Sequence, residues 1–519
     1  MAALGSMCRV ELIRADRRLR DLRMKQHLST LGKQTLVYGI SGTALQAVGL
    51  LTLPIFARVF SPTEYGVLEL VTVGLAATML VADLSLRSAS QRSFFDYAGH
   101  QDAERRSVIC TALTAALVTS VIVAALVVLT RHQLAEGLLE NGRYSTLLVL
   151  AALAIPLTVL ANMLRDVMRL YFRPWHYAAS ATLGAVVVGG LGAGLVLWTD
   201  AGVDGVLIGV AIGNAVAAIY GIALVGSDAI GRLSWSELRT MLAFGLPLIP
   251  ASAALWGVAF LDRVMLSQLG NLADVGEYAI AARFATVVML GVTAFGLAFS
   301  PFLLSLWSED PKTERQVRAR TLTYLSVALA GLSLALGLFA REIILVVAPD
   351  FEPAHELVGV LCMGVTLFGI ANVTLTGMVL ARRTRVLALY CLGALVSNFL
   401  LALLLIPPLG GLGAALAAMG GYGVLAGGYY VHSQRLYPTP YEPWKTVAAL
   451  LVATVLLPLG LLPVGALSLT IKLAALAAFA AALVLLRVLT RSELAEVLGT
   501  AHHTAARIIG ALRSTSGAT

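Results

Sequence analysis

Fourteen apolar stretches of about twenty residues each follow one another along the chain. At 1.5 Å per residue, a helix of that length reaches across the roughly 30 Å hydrocarbon layer of a bilayer. The first seven are Thr35–Phe56, Gly66–Leu86, Ser107–Thr130, Tyr144–Leu164, Tyr177–Trp198, Val203–Gly226 and Thr240–Phe260. The second seven are Glu277–Trp307, Thr321–Ala340, Leu357–Ala381, Val386–Ile406, Gly411–His432, Thr446–Pro463 and Leu467–Leu486. Only 13% of the 519 residues are charged and 58% are hydrophobic, with a mean hydropathy of +0.85. Soluble domains carry about 25% charged residues. That balance excludes a soluble enzyme, a disordered chain and a nucleic-acid binder. It leaves an all-α polytopic membrane protein of about fourteen transmembrane helices. The eighth stretch is too long for one straight crossing, and Pro301 marks its expected break.

Charge placement orients the spans. With the N-terminus in the cytoplasm, thirty of the 37 Lys and Arg residues fall on the inner side. They include Arg87, Arg92, Arg105 and Arg106, then Arg165, Arg169 and Arg173, and Lys312, Arg315, Arg318 and Arg320 further on. The seven elsewhere are Arg58, Arg131, Arg143, Arg263, Arg283, Arg341 and Lys472. A missed span would invert every loop after it, so the bias supports fourteen crossings and two cytoplasmic termini. Trp175, Trp198, Trp235, Trp307 and Trp444 fall near span ends, where amphipathic rings favour the interface. The N-terminal 34 residues are Arg-rich and lack the apolar core of a signal peptide. Two readings of that tail stay open: a basic arm on the anionic inner leaflet, or a chain start nearer Met24.

The chain also repeats itself. Tyr38-Gly39 recurs as Phe244-Gly245, Arg58 as Arg263, Leu183-Gly184-Ala185 as Leu392-Gly393-Ala394, and Gly202-x-x-Gly205 as Gly410-x-x-Gly413, each about 205–209 residues on. Six spans separate the partners, so both copies run in the same direction. The expected organisation is a basic tail (1–34), a six-helix bundle (35–226), a cytoplasmic linker (227–239) and a second bundle (240–432). Helices thirteen and fourteen and a C-terminal tail (433–519) complete it. Gly205, Gly209 and Gly213 line one face of span six, where small residues let helices approach closely.

Motifs for chemistry are missing. The sequence has no phosphate-binding Gly-x-x-x-x-Gly-Lys-Ser/Thr, no His-Glu-x-x-His and no Gly-x-Ser-x-Gly. Cys8, Cys110, Cys362 and Cys391 form no Cys-x-x-Cys and read as structural thiols. No cofactor and no catalytic residue is expected. The outer loops are too short to hold the acid, base and acceptor of a membrane-embedded transferase.

Five stretches resemble the oligosaccharide flippases of the polysaccharide-transport branch of the MOP (multidrug, oligosaccharidyl-lipid, polysaccharide) exporter superfamily. They are Tyr38-Gly39 through Arg58 to Glu64-Tyr65-Gly66; Ala82-Asp83-Leu84-Ser85-Leu86 with Arg92 and Phe94-Phe95; Phe244-Gly245-Leu246-Pro247; Leu261-Asp262-Arg263 to Glu277-Tyr278 and Arg283; and Asn398 through Ile406-Pro407 to Gly413-Ala414-Ala415. Ser85 stands where family members often carry Gly. The resemblance implies a MATE-like fold of two six-helix bundles with two extra helices. It also implies transfer of an undecaprenyl-pyrophosphate-linked oligosaccharide across the bacterial cytoplasmic membrane for surface polysaccharide biosynthesis. Its implied partners are that lipid-linked sugar, membrane lipids and the polysaccharide polymerase and export machinery, with no nucleic acid. Related lipid II flippases place arginines of spans one, two and eight in a central cavity, and of these Arg283 alone has a counterpart here.

An ionisable group within the hydrocarbon costs on the order of 2.5–3.5 kcal/mol, so it tends to face a cavity or a partner. Arg283 is therefore the expected ligand of the pyrophosphate or an acidic sugar, with Glu69, at similar depth in span two, as its partner when the site is empty. Asp262, Arg263 and Arg58 close spans at the outer face and are candidates for a salt-bridged gate. Asp83 and Arg87 are spaced for an i,i+4 pair. Asn162, Asn372 and Asn398 are polar groups within spans, read as interhelical hydrogen bonds or cavity lining, Asn372 being the substrate-binding candidate. Pro54, Pro247 and Pro250 are expected to break helices one and seven. Coupling to H⁺ or Na⁺ stays open. The alternative functions are a MATE-type drug or cation antiporter and, less well supported, a membrane-embedded enzyme of glycan assembly.

Overall fold

The computed structural model describes residues 46, 48–97, 102–199, 201–381 and 384–488, and among them there are helices and connecting turns but no strands. Twelve of these helices are long and apolar enough to cross a membrane; a bent pair, Trp235–Leu248 with Ser252–Leu269, makes a thirteenth. Of the first expected span, Val48–Val59 is described, as an apolar helix. The basic tail, Tyr38-Gly39, Arg382-Arg383 and the tail from 489 onward lie outside the described residues. The chain separates into two compact units, one of Met1–Trp256 with Thr293–Ser305, the other of Gly257–Val292 with Leu306–Thr519.

The first unit holds α1 (Val48–Val59), α2 (Pro62–Asp83), α3 (Leu86–Asp96), α4 (Asp102–Leu129), α5 (Arg131–Leu139), α6 (Ser145–Leu170), α7 (Pro174–Trp198), α8 (Gly202–Ala229), α9 (Trp235–Gly245) and the start of α10 (Ile249–Leu269). The Glu64-Tyr65-Gly66 motif explains how α2 begins. The Ser61 hydroxyl accepts from the Glu64 backbone N–H, and Glu64 Oε2 accepts from the Ser61 N–H at 2.9 Å, a reciprocal cap on two otherwise unpaired donors. Its neighbour Tyr65 turns into the core.

Packing within this unit runs α4 on α6, α6 on α8 and α8 on α7. The small-residue stripe of α8 is the seam of the last pair. A Cβ on Gly209 would stand 2.8 Å from the Gly192 nitrogen, and one on Gly213 2.8 Å from the Val188 nitrogen. Backbones this close gain dispersion contacts that any side chain would prevent. After α8 the linker 230–234 straps across the start of α4. Ser107 Oγ donates to the Arg232 carbonyl at 2.7 Å, and the Ser234 N–H donates to Thr111 Oγ1 at 3.0 Å.

The second unit holds the rest of α10, α11 (Leu272–Glu309) apart from its stretch Thr293–Ser305, α12 (Pro311–Leu338), α13 (Ala340–Val347), α14 (His355–Thr374), α15 (Thr376–Leu380), α16 (Thr384–Leu409), α17 (Gly411–Leu436), α18 (Pro443–Leu456) and α19 (Ala466–Leu485). Its packing order, α12 on α14, α14 on α17 and α17 on α16, repeats that of the first unit. The close approach recurs too: a Cβ on Gly213 would lie 2.9 Å from the Gly184 carbonyl, and one on Gly421 3.1 Å from that of Ala394. The linker after α17 also straps the start of its partner helix, here through Tyr437, Thr439 and Tyr441 against Glu314 and Arg318 of α12. The last two helices close on α12 through Ala449, Ala453, Phe479 and Leu483 packed with Ala330 and Leu334. A buried Lys472 of α19 reaches Glu342 of α13 at 2.6 Å.

Two proline expectations are corrected. The helix α11 continues past residue 301 to Glu309, so the long eighth stretch is one helix, of which Leu272–Leu297 meets the spanning criterion. Pro54 likewise lies inside α1. Membrane helices accommodate proline where neighbouring groups satisfy the freed carbonyl. Pro247 and Pro250 do accompany a break, a 3₁₀ turn at Leu246–Leu248 and a bend of 47°.

Candidate functional site

Within the first unit, two interrupted helices meet. The helix α2 ends because Leu84 and Ser85 both adopt left-handed backbone conformations, with φ of 48° and 54°, before α3 resumes the path. Facing that break is the bend between α9 and α10. Gly245 makes the approach possible: a Cβ there would lie 2.8 Å from the Leu84 carbonyl oxygen. The Arg92 guanidinium covers the Phe244 ring at 4.6 Å, and the Tyr97 hydroxyl donates to the Glu237 carboxylate. That bond to Glu237 holds the Tyr97 proton and raises its phenol above the ordinary value. Two motifs far apart in sequence, Ala82–Leu86 and Phe244–Pro247, are thus the two sides of one contact.

Beside it lies a cavity of about 190 Å³. Its polar lining comes from the break (Asp83, Ser85, Arg87, Ser88), from Asn162 of α6 and from Ser252 beyond the bend; Met79 and Met163 are among its apolar walls. Irregular backbone at membrane depth persists where it is buried in protein or lines a cavity. The charges are arranged around Asp166, which receives both Arg87 Nε and, at 2.9 Å, Arg169 Nη2. Arg165 Nη2 donates to the neutral Asn162 Oδ1 at 2.5 Å. The expected i,i+4 side-chain pair is therefore corrected. Asp83 Oδ1 accepts from the Arg87 backbone N–H at 3.4 Å, while the Arg87 guanidinium goes across to α6. Just before α7, Arg173 pairs with Asp228 of α8 at 3.2 Å.

The six residues singled out from the sequence are distributed as follows. Glu69 is buried on α2 and Arg58 is exposed on α1, both in the first unit. In the second unit Arg283 is half-buried on α11, and Asn372 is exposed on α14, its amide donating to the Phe368 carbonyl of its own helix at 3.0 Å. Asp262 and Arg263 come together. Both are buried, Arg263 Nη1 lies 3.1 Å from Asp262 Oδ1, and the Tyr278 hydroxyl donates to Asp262 Oδ2. Tyr278 and Phe260 also flank the Arg263 guanidinium, at 5.1 and 5.3 Å. Of the other two asparagines, Asn162 holds Arg165 on its own helix, and Asn398 bridges helices by donating to the Val258 carbonyl at 3.3 Å.

Sequence reasoning counted Arg165, Arg169 and Arg318 only as inner-side charges. The usable signal was spacing: Arg165-Asp166-x-x-Arg169 puts a carboxylate beside two guanidiniums within one helical turn, and Glu314…Arg318 is an i,i+4 pair. Among the described residues, no cluster of three His, Cys, Asp or Glu side chains could hold a metal ion.

Comparison with known proteins places the fold and the family. The lipid II flippase MurJ in an inward closed conformation superposes with a TM-score of 0.69 at 14% identity, over 86% of this chain and 99% of that one. A Vibrio cholerae MATE transporter gives 0.54 at 14% identity, over 78% and 96%. An inward-facing multidrug resistance MATE transporter of the MOP superfamily also gives 0.54, at 14% identity, over 75% and 94%. An Lsg locus protein of Haemophilus influenzae is 24% identical over 279 residues, which is 52% of this chain and 65% of that protein's length. The family profile described as "Polysaccharide biosynthesis protein" matches residues 31–307. The chain is an all-helical, multi-span membrane protein with the MurJ and MATE fold, and it belongs to the polysaccharide biosynthesis protein family.

Proposed function

We propose that this protein carries an undecaprenyl-pyrophosphate-linked oligosaccharide from the cytoplasmic to the outer leaflet of the bacterial cytoplasmic membrane, by alternating access, for surface polysaccharide biosynthesis. The observation that carries this reading is the family match over residues 31–307, joined to a fold shared with a lipid II flippase. The physical need is plain. Each polar group left unsatisfied in hydrocarbon costs several kcal/mol, on the order of the peptide-group penalty, and a charged pyrophosphate with its sugar hydroxyls carries many. A protein that replaces water along the path with guanidinium, carboxylate and amide groups removes that barrier.

In this reading both termini are cytoplasmic, and the bundles 35–226 and 240–432 are the moving parts, linked by 227–239. Arg283 contacts the pyrophosphate or an acidic sugar, and Glu69, Arg58, Asp262, Arg263 and Asn372 serve the transport path. The polymerase and export machinery of the polysaccharide act on the product. A deletion strain tests the function. Loss of surface polysaccharide with complete lipid-linked units accumulating inside is the expected result. Normal polysaccharide with raised sensitivity to cationic drugs would instead support a MATE-type antiporter, the reading favoured by the likeness to MATE transporters at TM-scores of 0.54.

A further inference from the structure

We infer that the cavity framed by the α2–α3 break and the α9–α10 bend is an anion site that receives a pyrophosphate or phosphate headgroup at the inner face, with Arg165 and Arg87 as its cationic ligands. Identifying that headgroup as prenyl-linked rests on the proposed function; the anion site itself rests on the geometry. Three guanidiniums, of Arg87, Arg165 and Arg169, share this end of the unit with two carboxylates, of Asp83 and Asp166. Asp166 is spent on Arg87 and Arg169. Among the described residues Arg165 has no carboxylate within ion-pair distance, and its printed bond is to the neutral oxygen of cavity-lining Asn162. Arg169 Nε is buried without an acceptor. The cluster therefore keeps an excess of positive charge and spare donors beside an open, partly polar cavity.

Apart from the Asp83 carboxylate, the remaining polar lining suits a phosphate ester. Ser85, Ser88, Ser252 and the Asn162 amide are neutral groups that donate to phosphate oxygens or to the hydroxyls of a first sugar. About 190 Å³ is below the 300–1,000 Å³ of sites that enclose a whole drug-sized ligand. The cavity fits a headgroup and leaves an oligosaccharide outside. Access is available, since the side chains of Arg87 and Arg169 are 42% and 41% exposed. Both helix interruptions end here, and broken helices in membrane transporters expose backbone groups and reshape at their breaks. A headgroup bridging α2–α3, α6 and α10 would thus touch both sides of the interruption.

Full-length protein purified in detergent tests this by direct binding of farnesyl pyrophosphate, with farnesol and inorganic pyrophosphate as competitors. The wild type is expected to bind farnesyl pyrophosphate and to ignore farnesol. Arg165→Gln is expected to weaken binding about ten- to a hundredfold, with Arg165→Lys recovering part of the loss. Ser88→Trp fills the cavity from an exposed position and leaves every arginine in place, so it carries the test if Arg165→Gln fails to fold. Competition by inorganic pyrophosphate supports the site as a general phosphate site; competition by prenyl pyrophosphates alone supports it as a lipid-headgroup site. The inference is overturned if the wild type binds none of the pyrophosphates, or if folded Ser88→Trp and Arg165→Gln bind like the wild type. Because binding is read on purified protein, a deletion strain with normal polysaccharide would reject the transport function without bearing on this site.

Discussion

Gly245 lies against the carbonyl oxygen of Leu84, so close that a Cβ on Gly245 would stand 2.8 Å from it. The two residues belong to two helix interruptions, and their contact couples the bend before α10 to the break after α2. The opposing atom is backbone, so it has no rotamer through which to yield. Gly245→Ala is expected to destabilise by about 1–3 kcal/mol through overpacking, and Gly245→Val by more. Thermal unfolding of the purified protein measures this; an unchanged melting temperature for both would refute the contact.

Ser85 holds a left-handed conformation, φ 54°, that costs a residue with a Cβ roughly 1 kcal/mol and costs glycine little. Ser85→Gly is therefore expected to raise the melting temperature, against the usual effect of adding glycine. A lowered melting temperature would show that the break is not held in this conformation.

Glu314 and Arg318 are each fully buried and lie 3.2 Å apart, roofed by Tyr437, whose hydroxyl donates to Glu314 at 3.2 Å. Arg318 also donates to Thr439 Oγ1 at 2.5 Å. Removing one partner leaves the other charge buried, so Arg318→Ala should cost about 3–5 kcal/mol. Replacing both, Glu314→Leu with Arg318→Met, should recover most of that loss. If the double variant is no better than the single one, the pair contributes more than mutual neutralisation.

Tyr441 gives a pH signature to the same strap. Burial pushes its phenol up to about 12, against the pull of the Arg318 charge, while an unfolded tyrosine ionises near 10. Between those values the unfolded chain has released a proton that the folded chain retains. Stability should then fall as pH rises from about 10 to 12, by at most about 1.4 kcal/mol per pH unit. Tyr441→Phe should remove that component of the decline, which melting curves across the alkaline range would detect.

Arg283 is predicted to be required for transport. Arg283→Ala should abolish complementation of a polysaccharide-deficient deletion strain, and Arg283→Lys should restore part of it, because a lysine keeps the charge and loses the bidentate fork. Full complementation by Arg283→Ala would remove it from the substrate path.

The spans were legible because an apolar length near twenty residues is itself the physical requirement for crossing. The stretch Tyr177–Trp198 emerges as the helix Pro174–Trp198, and Gly411–His432 as Gly411–Leu436. Small-residue spacing likewise announced the seam of α7 and α8. The break at Leu84-Ser85 was hard to read, since neither residue is a helix breaker, and its one signal was that Ser85 stands where family members often carry Gly, the residue that best tolerates a left-handed backbone. Proline was an uneven guide: Pro247 and Pro250 accompany the expected bend, whereas Pro54 and Pro301 lie inside continuous helices. Charge in the sequence did not reveal its partner. Arg87 looked paired to Asp83 on its own helix, and only the fold brings it to Asp166, 79 residues further along.

The most direct test of the account is reconstitution of the purified protein in liposomes that contain a fluorescent prenyl-pyrophosphate saccharide, followed by a membrane-impermeant quencher. The account predicts that the quencher-accessible fraction rises with time beyond that of protein-free liposomes, as lipid-linked sugar crosses between leaflets. Equal accessibility with and without protein, while the same preparation exports a cationic drug, would contradict it.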